Sequence, residues 1–448
     1  MNNLKKELAA RRYWRVAAAG LLILISGILL SGIYGKWGFN RKKKIVVGVF
    51  AGSYWDIENG YYYRILDEAI SKFREKHPDY EVVYTSGIQK SDYPEWLAEQ
   101  FMQGSAPDLF FIPGNYLDTF ARIGALHPLD DLIYEDDDFD PWAYYPTAYN
   151  AGYLNGNQLA IPYECAPRMM FVNKTILDAE GIGLPDTDWT WDDFLAICRK
   201  VTRSTDGSGV IDQFGAYGYT WQDAFRANGA EVPDQDGKSC DFTARPVGEA
   251  ISFLDRLNSL SSGYVVSNAD FSNGNVVFQP MLFSEYRAYK SKELSLKKYS
   301  GFEWDCVTMP AGPSGDNVSD LDTLCVGMSH KTSHEKEVWE LMKTLTFDRE
   351  IQEKIFDYSE GISPLSSVTE SEQTAKMIRQ GTGSRFNMDT LSNAMDKSIV
   401  PRYFKGYEEI NEQISIAVRS ILDSSSNLQM EQIIWNRKLN SYLKNIDR

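Results

Sequence analysis

The chain has 448 residues, 43% apolar and 24% charged, and 46 Lys and Arg against 62 Asp and Glu leave a formal charge of −16. This composition excludes a disordered chain and a small disulfide scaffold, and the acidic balance excludes a simple nucleic-acid binder, which must neutralise phosphates. A chain this long exceeds what one core usually serves, so two domains of roughly 200 residues are expected. The charge is unevenly spread. Residues 1–44 hold ten cations against Glu7, a net of +9, so residues 45–448 carry −25.

In chain order, the first predicted element is residues 16–35, VAAAGLLILISGILLSGIYG, a run without a charge. As a helix it would span roughly 30 Å, the thickness of a bilayer core. Tyr13 and Trp14 precede it and Tyr34 and Trp37 follow it, as aromatic belts do at two interfaces. Its end lacks a clean pair of small residues for signal peptidase, and no cysteine occurs before Cys165 to carry a lipid. The reading is one uncleaved transmembrane helix in the cell membrane with the body outside; secretion after cleavage is the alternative. Beyond it, KIVVGVF (44–50) reads as a buried strand, followed by the polar and aromatic loop AGSYWDIENGYYY. Residues 62–76 place Ile65, Leu66, Ala69, Ile70 and Phe73 on one helical face, and Pro78 stops the helix. A strand at 81–84, a helix at 93–102 and a continuous apolar strand at 108–112 follow. That alternation indicates an α/β domain, in which ligands collect beyond the carboxyl ends of the strands. Tyr54, Trp55, Asp56, Asn115 and Tyr116 occupy those positions.

A helix is expected over 116–127. The acidic run 134–140 lacks the glycine and spacing of a calcium loop and reads as a solvated turn. The loop STDGSGVIDQFG has Gly215 where a calcium loop needs its bidentate Glu, so it too reads as a loop. In HKTSHEKE, His330 and His334 lack the Glu of a zinc-protease helix, and Ser333 is expected to cap a helix beginning at His334. The five cysteines, Cys165, Cys198, Cys240, Cys306 and Cys325, are too sparse and odd for a disulfide framework or a zinc cluster; one pair remains open. No nucleophile elbow, phosphate loop or dinucleotide fingerprint occurs. No catalytic residue, metal or cofactor is therefore assigned.

Aromatics make up 13% of the chain. Trp96, Trp189, Trp191, Trp339 and Trp435 lie in amphipathic stretches and are expected to pack. Trp55, and Trp221 with Tyr219 in YGYTWQDAF, lie in polar surroundings instead. A sugar presents apolar CH faces and rings of hydroxyls, so flat aromatics next to carboxylates and amides suit it. Asp56, Asn115, Glu164, Gln222 and Asp322 can supply those partners, and Tyr163, Glu360 and Tyr407 complete the candidate set.

Six stretches carry a resemblance: LDEAISKFREKHPDYEVVY, WLAEQFMQGSAPDLFFIPGNYLDTFARIGALHPLDDLI, GNQLAIPYECAPRMMFVNKTILDAEGI, WTWDDFLAICRKVT, FRANGAEVPDQDG and FSNGNVVFQPMLFSEYRAY. Their order and spacing over roughly residues 45–425 resemble the extracellular solute-binding proteins of family 1, the maltodextrin-binding-protein-like receptors of ABC transporters. The family's YNK is here Val172-Asn173-Lys174, and Ser284 stands where an indole is usual, so stacking there falls to Phe283 or Tyr286. Asp322 stands where the family often has bare backbone. The resemblance implies a periplasmic-binding-protein-like α/β fold: two α/β lobes joined by a three-segment hinge, preceded by residues 1–44, which comprise a cytoplasmic stub, the one N-terminal transmembrane helix (anchor or signal) and a basic flank. The first lobe takes 45–163 and 312–346, the second 168–307 and 349–448, with crossings at 164–167, 309–311 and 346–348. It also implies a receptor that binds a carbohydrate, performs no covalent chemistry and delivers its ligand to ABC permease subunits. The residues themselves leave two alternatives open, a sensory subunit signalling to a membrane kinase and a polysaccharide-acting enzyme.

Overall fold

The computed structural model describes residues 42–57, 60–234, 237–291, 302–382, 386–424 and 426–446. The apolar run at 16–35 lies outside the described residues, and among those described no helix is long and apolar enough to cross a membrane. The chain divides into a small unit, Met1–Lys44 with Pro78–Glu81, and a large one, Ile45–His77 with Val82–Arg448. In the small unit the Lys43 N–H donates to Asp79 O at 3.0 Å. The residues of the site described below lie in the large unit.

Among the described residues nine strands form one mixed sheet. They are β1 (Lys43–Gly48), β2 (Tyr80–Tyr84), β3 (Leu109–Pro113), β4 (Ala160–Asn173), β5 (Phe214–Ala216), β6 (Val276–Leu282), β7 (Trp304–Val307), β8 (Ser319–Met328) and β9 (Ser398–Ile399). Their order is β2-β1-β3-β8-β4-β6-β5, with β9 beside β8 and β7 beside β4. The helices that matter here are α1 (Arg64–Lys76), α2 (Tyr93–Gln103), α3 (Trp191–Val201), α4 (Trp221–Ala227), α5 (Arg245–Asn258), α6 (Phe283–Ser291), α7 (Glu335–Thr346) and α8 (Tyr407–Leu422).

The expected strand–helix–strand–helix–strand run is present, and β1 and β3 are parallel, Val47 opposite Leu109. Every residue of β3 is buried, as a strand covered on both faces requires. α1 buries the five apolar residues its spacing predicted, of which Ile65, Leu66, Ile70 and Phe73 each contribute roughly 1.5–3 kcal/mol of transfer free energy. Asp108 ties the start of β3 down: its carboxylate accepts from the Val46 N–H at 2.8 Å and from the Thr332 hydroxyl at 2.7 Å. At the end of β1, a Cβ on Gly48 would lie 2.9 Å from the ring of Pro107, and the Tyr93 hydroxyl donates to Gly48 O and Phe111 O. The loop after β1 therefore leaves the sheet at a fixed point.

The sheet is held together by β4, whose 14 residues are almost all buried. Its first half pairs antiparallel with β8, Cys165 opposite Thr323, and its second half with β6 and β7. Around that second half, α3, α4, α5 and α8 close one apolar core, in which Trp191 stacks on Phe253 at 4.3 Å. α3 and α4 each begin with a capping box, Thr190 with Asp193 and Thr220 with Asp223.

Three local expectations are corrected. The segment expected to be one helix over 116–127 is a 3₁₀ turn, Gly114–Tyr116, and a short helix, Leu117–Arg122. The N-cap of α7 is His334, not Ser333, and its N–H donates to the Thr332 hydroxyl. The acidic turn is not merely solvated: Asp136 accepts from Trp339 Nε1 at 2.7 Å and pairs with Lys343. All five cysteines are buried, as thiols rather than disulfides.

Candidate functional site

The loops beyond the carboxyl ends of β1 and β3 meet the beginning of β8. Tyr54 joins them. Its hydroxyl donates to Asp322 Oδ1 at 2.6 Å and approaches Thr323 O at 3.1 Å, while the Gly114 N–H donates to it at 3.4 Å. Lys90 holds the same loop from outside, donating to Tyr54 O and to Asp56 Oδ2 at 2.8 Å, with its ammonium 5.0 Å from the Tyr54 ring centroid. Asp56 adopts a left-handed φ of 58°, which turns its carboxylate back toward Lys90. Burial raises the Asp322 carboxyl above its ordinary value, against the stabilising hydrogen bond from Tyr54. Burial, then the Asp322 charge, pushes the Tyr54 phenol well up, so it stays a donor.

These residues line a cavity of about 420 Å³, open between Asp56, Lys90, Asn115, Tyr116, Asp322 and Tyr403. Tyr116 and Tyr403 are partly exposed and line it. A second cavity, about 290 Å³, is lined by Trp221, Arg226, Arg402, Phe404, Tyr407 and Asn411, among others. The short segment 402–407 serves both: Tyr403 lines the first cavity, Arg402, Phe404 and Tyr407 the second, and the Tyr403 and Tyr407 rings meet at 4.6 Å. The Trp221 indole N–H is used by Ser415 Oγ at 2.9 Å, which fixes the ring against the cavity wall. Beneath this wall Arg168 pairs with Asp223, and Arg226 Nε lies 3.1 Å from Asp320 Oδ1, an ion pair by distance although the N–H is poorly aligned.

Behind Tyr54 and Trp55 lies a buried polar cluster. Glu164, only 4% exposed, sits on β4 opposite Leu324. The Ser359 hydroxyl donates to Glu164 Oε2, and the Ser53 hydroxyl donates to Glu360 Oε2 at 3.3 Å. The Trp55 indole N–H faces the Glu164 carboxylate, close enough to favour its charged form but outside hydrogen-bond geometry. Arg287, from α6, donates to Phe356 O at 2.9 Å and to Gly361 O. Burial dominates these influences and pushes the Glu164 carboxyl up to about 7. Together with Ser53, Tyr54, Tyr163 and Ser359, Glu164 lines a small cavity of about 50 Å³ behind the first one.

The structure thus brings Tyr54, Asp56, Asn115, Tyr116 and Asp322 to one cavity and Trp221 and Tyr407 to its neighbour. Trp55, Tyr163, Glu164 and Glu360 are buried behind the first cavity. Tyr219 accepts from Trp191 Nε1 at 2.9 Å inside the core, and Phe283 and Tyr286 are fully buried, stacked on each other at 5.4 Å. These three reach neither cavity. Lys90, Arg402 and Tyr403 went unrecognised. The available signal was compositional, an isolated Lys in SGIQKSDYP and the aromatic, cationic run PRYFKGY, and neither has a period to read.

Comparison with known proteins agrees with this architecture. The chain shares 33% identity with the maltotriose-binding protein of Pyrococcus abyssi over 168 residues, 35% of this chain and 34% of that one, so the match spans about a third of that relative's length. Among solved structures, a cyclic α-maltosyl-1,6-maltose-binding protein from Arthrobacter globiformis superposes with a TM-score of 0.73 at 15% identity, covering 90% of this chain and 99% of that one. The sugar-binding protein MalE from Xanthomonas citri gives 0.71 at 16% identity, covering 90% and 98%. At such identities the likeness establishes the fold, a periplasmic-binding-protein-like α/β fold around a mixed sheet. Residues 68–379, well over half of the chain, match the family profile itself. On that match, and with loops at the strand ends walling a cavity, the chain belongs to the bacterial extracellular solute-binding proteins.

Proposed function

We propose that this chain is the solute receptor of an ABC importer, capturing a carbohydrate, an oligosaccharide by the extent of the two adjoining cavities, and delivering it to the permease. The observation that carries the reading is the first cavity, which Tyr116 and Tyr403 line together with the donors and acceptors of Asp56, Asn115, Asp322 and Lys90. Its volume, about 420 Å³, lies in the range of small-molecule sites. The sugars named for the similar proteins support the same class of ligand. Ligand contacts are assigned to Tyr54, Asp56, Asn115, Tyr116, Asp322, Trp221 and Tyr407 from the expected set, with Trp55, Tyr163, Glu164 and Glu360 supporting them from behind.

In this reading the body forms two α/β lobes, 45–163 with 312–346 and 168–307 with 349–448, crossing at 164–167, 309–311 and 346–348. Support comes from β4, which pairs with β8 up to Pro167 and with β6 from Arg168 onward. A ligand touching both lobes favours the closed arrangement by its extra contacts, and the permease reads that arrangement. Residues 16–35 tether the receptor to the cell membrane as a single-pass helix, with the body outside. A thermal-shift screen of the full chain against mono- and oligosaccharides tests the function, since a ligand at 100 times its Kd stabilises by about 2.7 kcal/mol. No shift with any saccharide would refute it. Protease shaving of intact cells tests the tether, which predicts that the body is digested while a membrane stub is retained.

A further inference from the structure

The cations that line the two cavities are Lys90, Arg226 and Arg402. Two of them are already neutralised, Lys90 by Asp56 at 2.8 Å and Arg226 by Asp320 at 3.1 Å. Arg402 differs: among the described residues its guanidinium makes no ion pair and no hydrogen bond, and it lies on the wall of the second cavity. The acids on that wall, Glu231 and Asp234, have partners other than Arg402. Asp234 accepts from the Lys238 N–H and the Ser239 hydroxyl, both at 2.7 Å, and Glu231 has an interaction of its own. The same cavity is lined by the ring of Trp221, held by Ser415, and by Tyr407 and Asn411. An apolar ring face, polar groups and an unneutralised planar fork are what a carboxylated sugar ring requires, because guanidinium and carboxylate match in a two-point hydrogen bond.

We propose that the second cavity takes an acidic sugar residue, a uronate, with its carboxylate on Arg402 and its ring against Trp221. This deepens the carbohydrate-receptor reading and rests on it. The body's charge of −25 does not oppose it. Charges farther than about 10 Å away are largely screened at physiological salt, so affinity is decided by the groups on the cavity wall, among them Arg402, which is turned to no other partner among the described residues.

The test titrates the full-length chain calorimetrically with trisaccharides of galacturonate, glucuronate and mannuronate, each beside its carboxyl-reduced counterpart, and with maltotriose. At least one uronate trisaccharide binds roughly tenfold to a hundredfold tighter than its reduced counterpart, the effect of hydrogen bonds to a charged group. That preference narrows as salt rises, disappears in R402Q and survives in part in R402K. R402Q melts with the wild type, since an exposed side chain without partners holds nothing in place; R402K keeps the test open should R402Q fold poorly. If neutral trisaccharides bind as tightly as the acidic ones, or R402Q keeps the preference, the uronate assignment falls while the receptor reading stands. If no saccharide binds at all, both fall.

Discussion

Glu164 offers a quantitative test of how the buried cluster is built. Its carboxyl titrates at about 7 in the folded chain against 4.5 as the ordinary value, with burial as the main cause. The sign follows from proton binding: below pH 4.5 both folded and unfolded chains hold the proton. Between 4.5 and 7 only the folded one does, so stability falls as pH rises through that window and levels off above it. At 1.36 kcal/mol per pH unit, this one group costs about 3 kcal/mol between the ends of the window. E164Q removes the titration yet keeps an oxygen to accept from the Ser359 hydroxyl. The measurement is urea unfolding of both proteins from pH 4.5 to 7.5. The wild type should lose stability relative to E164Q as pH rises, by an amount of that order. Asp320 and Asp322, also raised by burial, move stability in the same direction but do so in both proteins, so the difference isolates Glu164. Parallel pH profiles for the two would refute the claim that Glu164 is buried and protonated at mildly acidic pH.

Other consequences are equally direct. Tyr54→Phe withdraws the donor from a buried carboxylate that depends on it, and should cost about 1.5–3 kcal/mol of stability at neutral pH, read by chemical unfolding. Gly361→Ala places a Cβ 2.6 Å from Trp55 Nε1 and 2.7 Å from Glu164 Oε2, so a loss of about 1–3 kcal/mol is expected from overpacking. Tyr403→Ala should leave the melting temperature close to that of the wild type while weakening saccharide binding roughly tenfold, measured by titration; unchanged affinity would remove Tyr403 from the site.

Much of the fold was legible because short-range chemistry dictated it. α1 was readable from five apolar residues on one face, and β3 from an unbroken apolar run between Pro107 and Gly114. The short helix after β3 was overextended because local apolar spacing persists past Arg122, where Gly124 takes a left-handed φ of 67°. The site was legible where it follows a strand: Tyr54, Asp56, Asn115 and Tyr116 sit at carboxyl ends of strands, a place that topology assigns before any contact is known. It was not legible at segment 402–407, which carries no period and reaches the cavities from the far end of the chain.

The sequence by itself determined the anionic body, the alternation of strands and helices, and the aromatic supply from which a sugar site is built. It could not say which aromatic rings face a ligand. Tyr219 and Tyr116 are alike in sequence, each beside a polar turn, yet one is bonded into the core by Trp191 and the other opens onto a cavity. Exposure is a property of what packs over a residue, and those covers come from elements distant in sequence. For the same reason only the tertiary structure decided that Arg226 and Lys90 are neutralised while Arg402 is not. Charge is written in the sequence, but its compensation depends on partners some 34 and 94 residues away for Lys90 and Arg226.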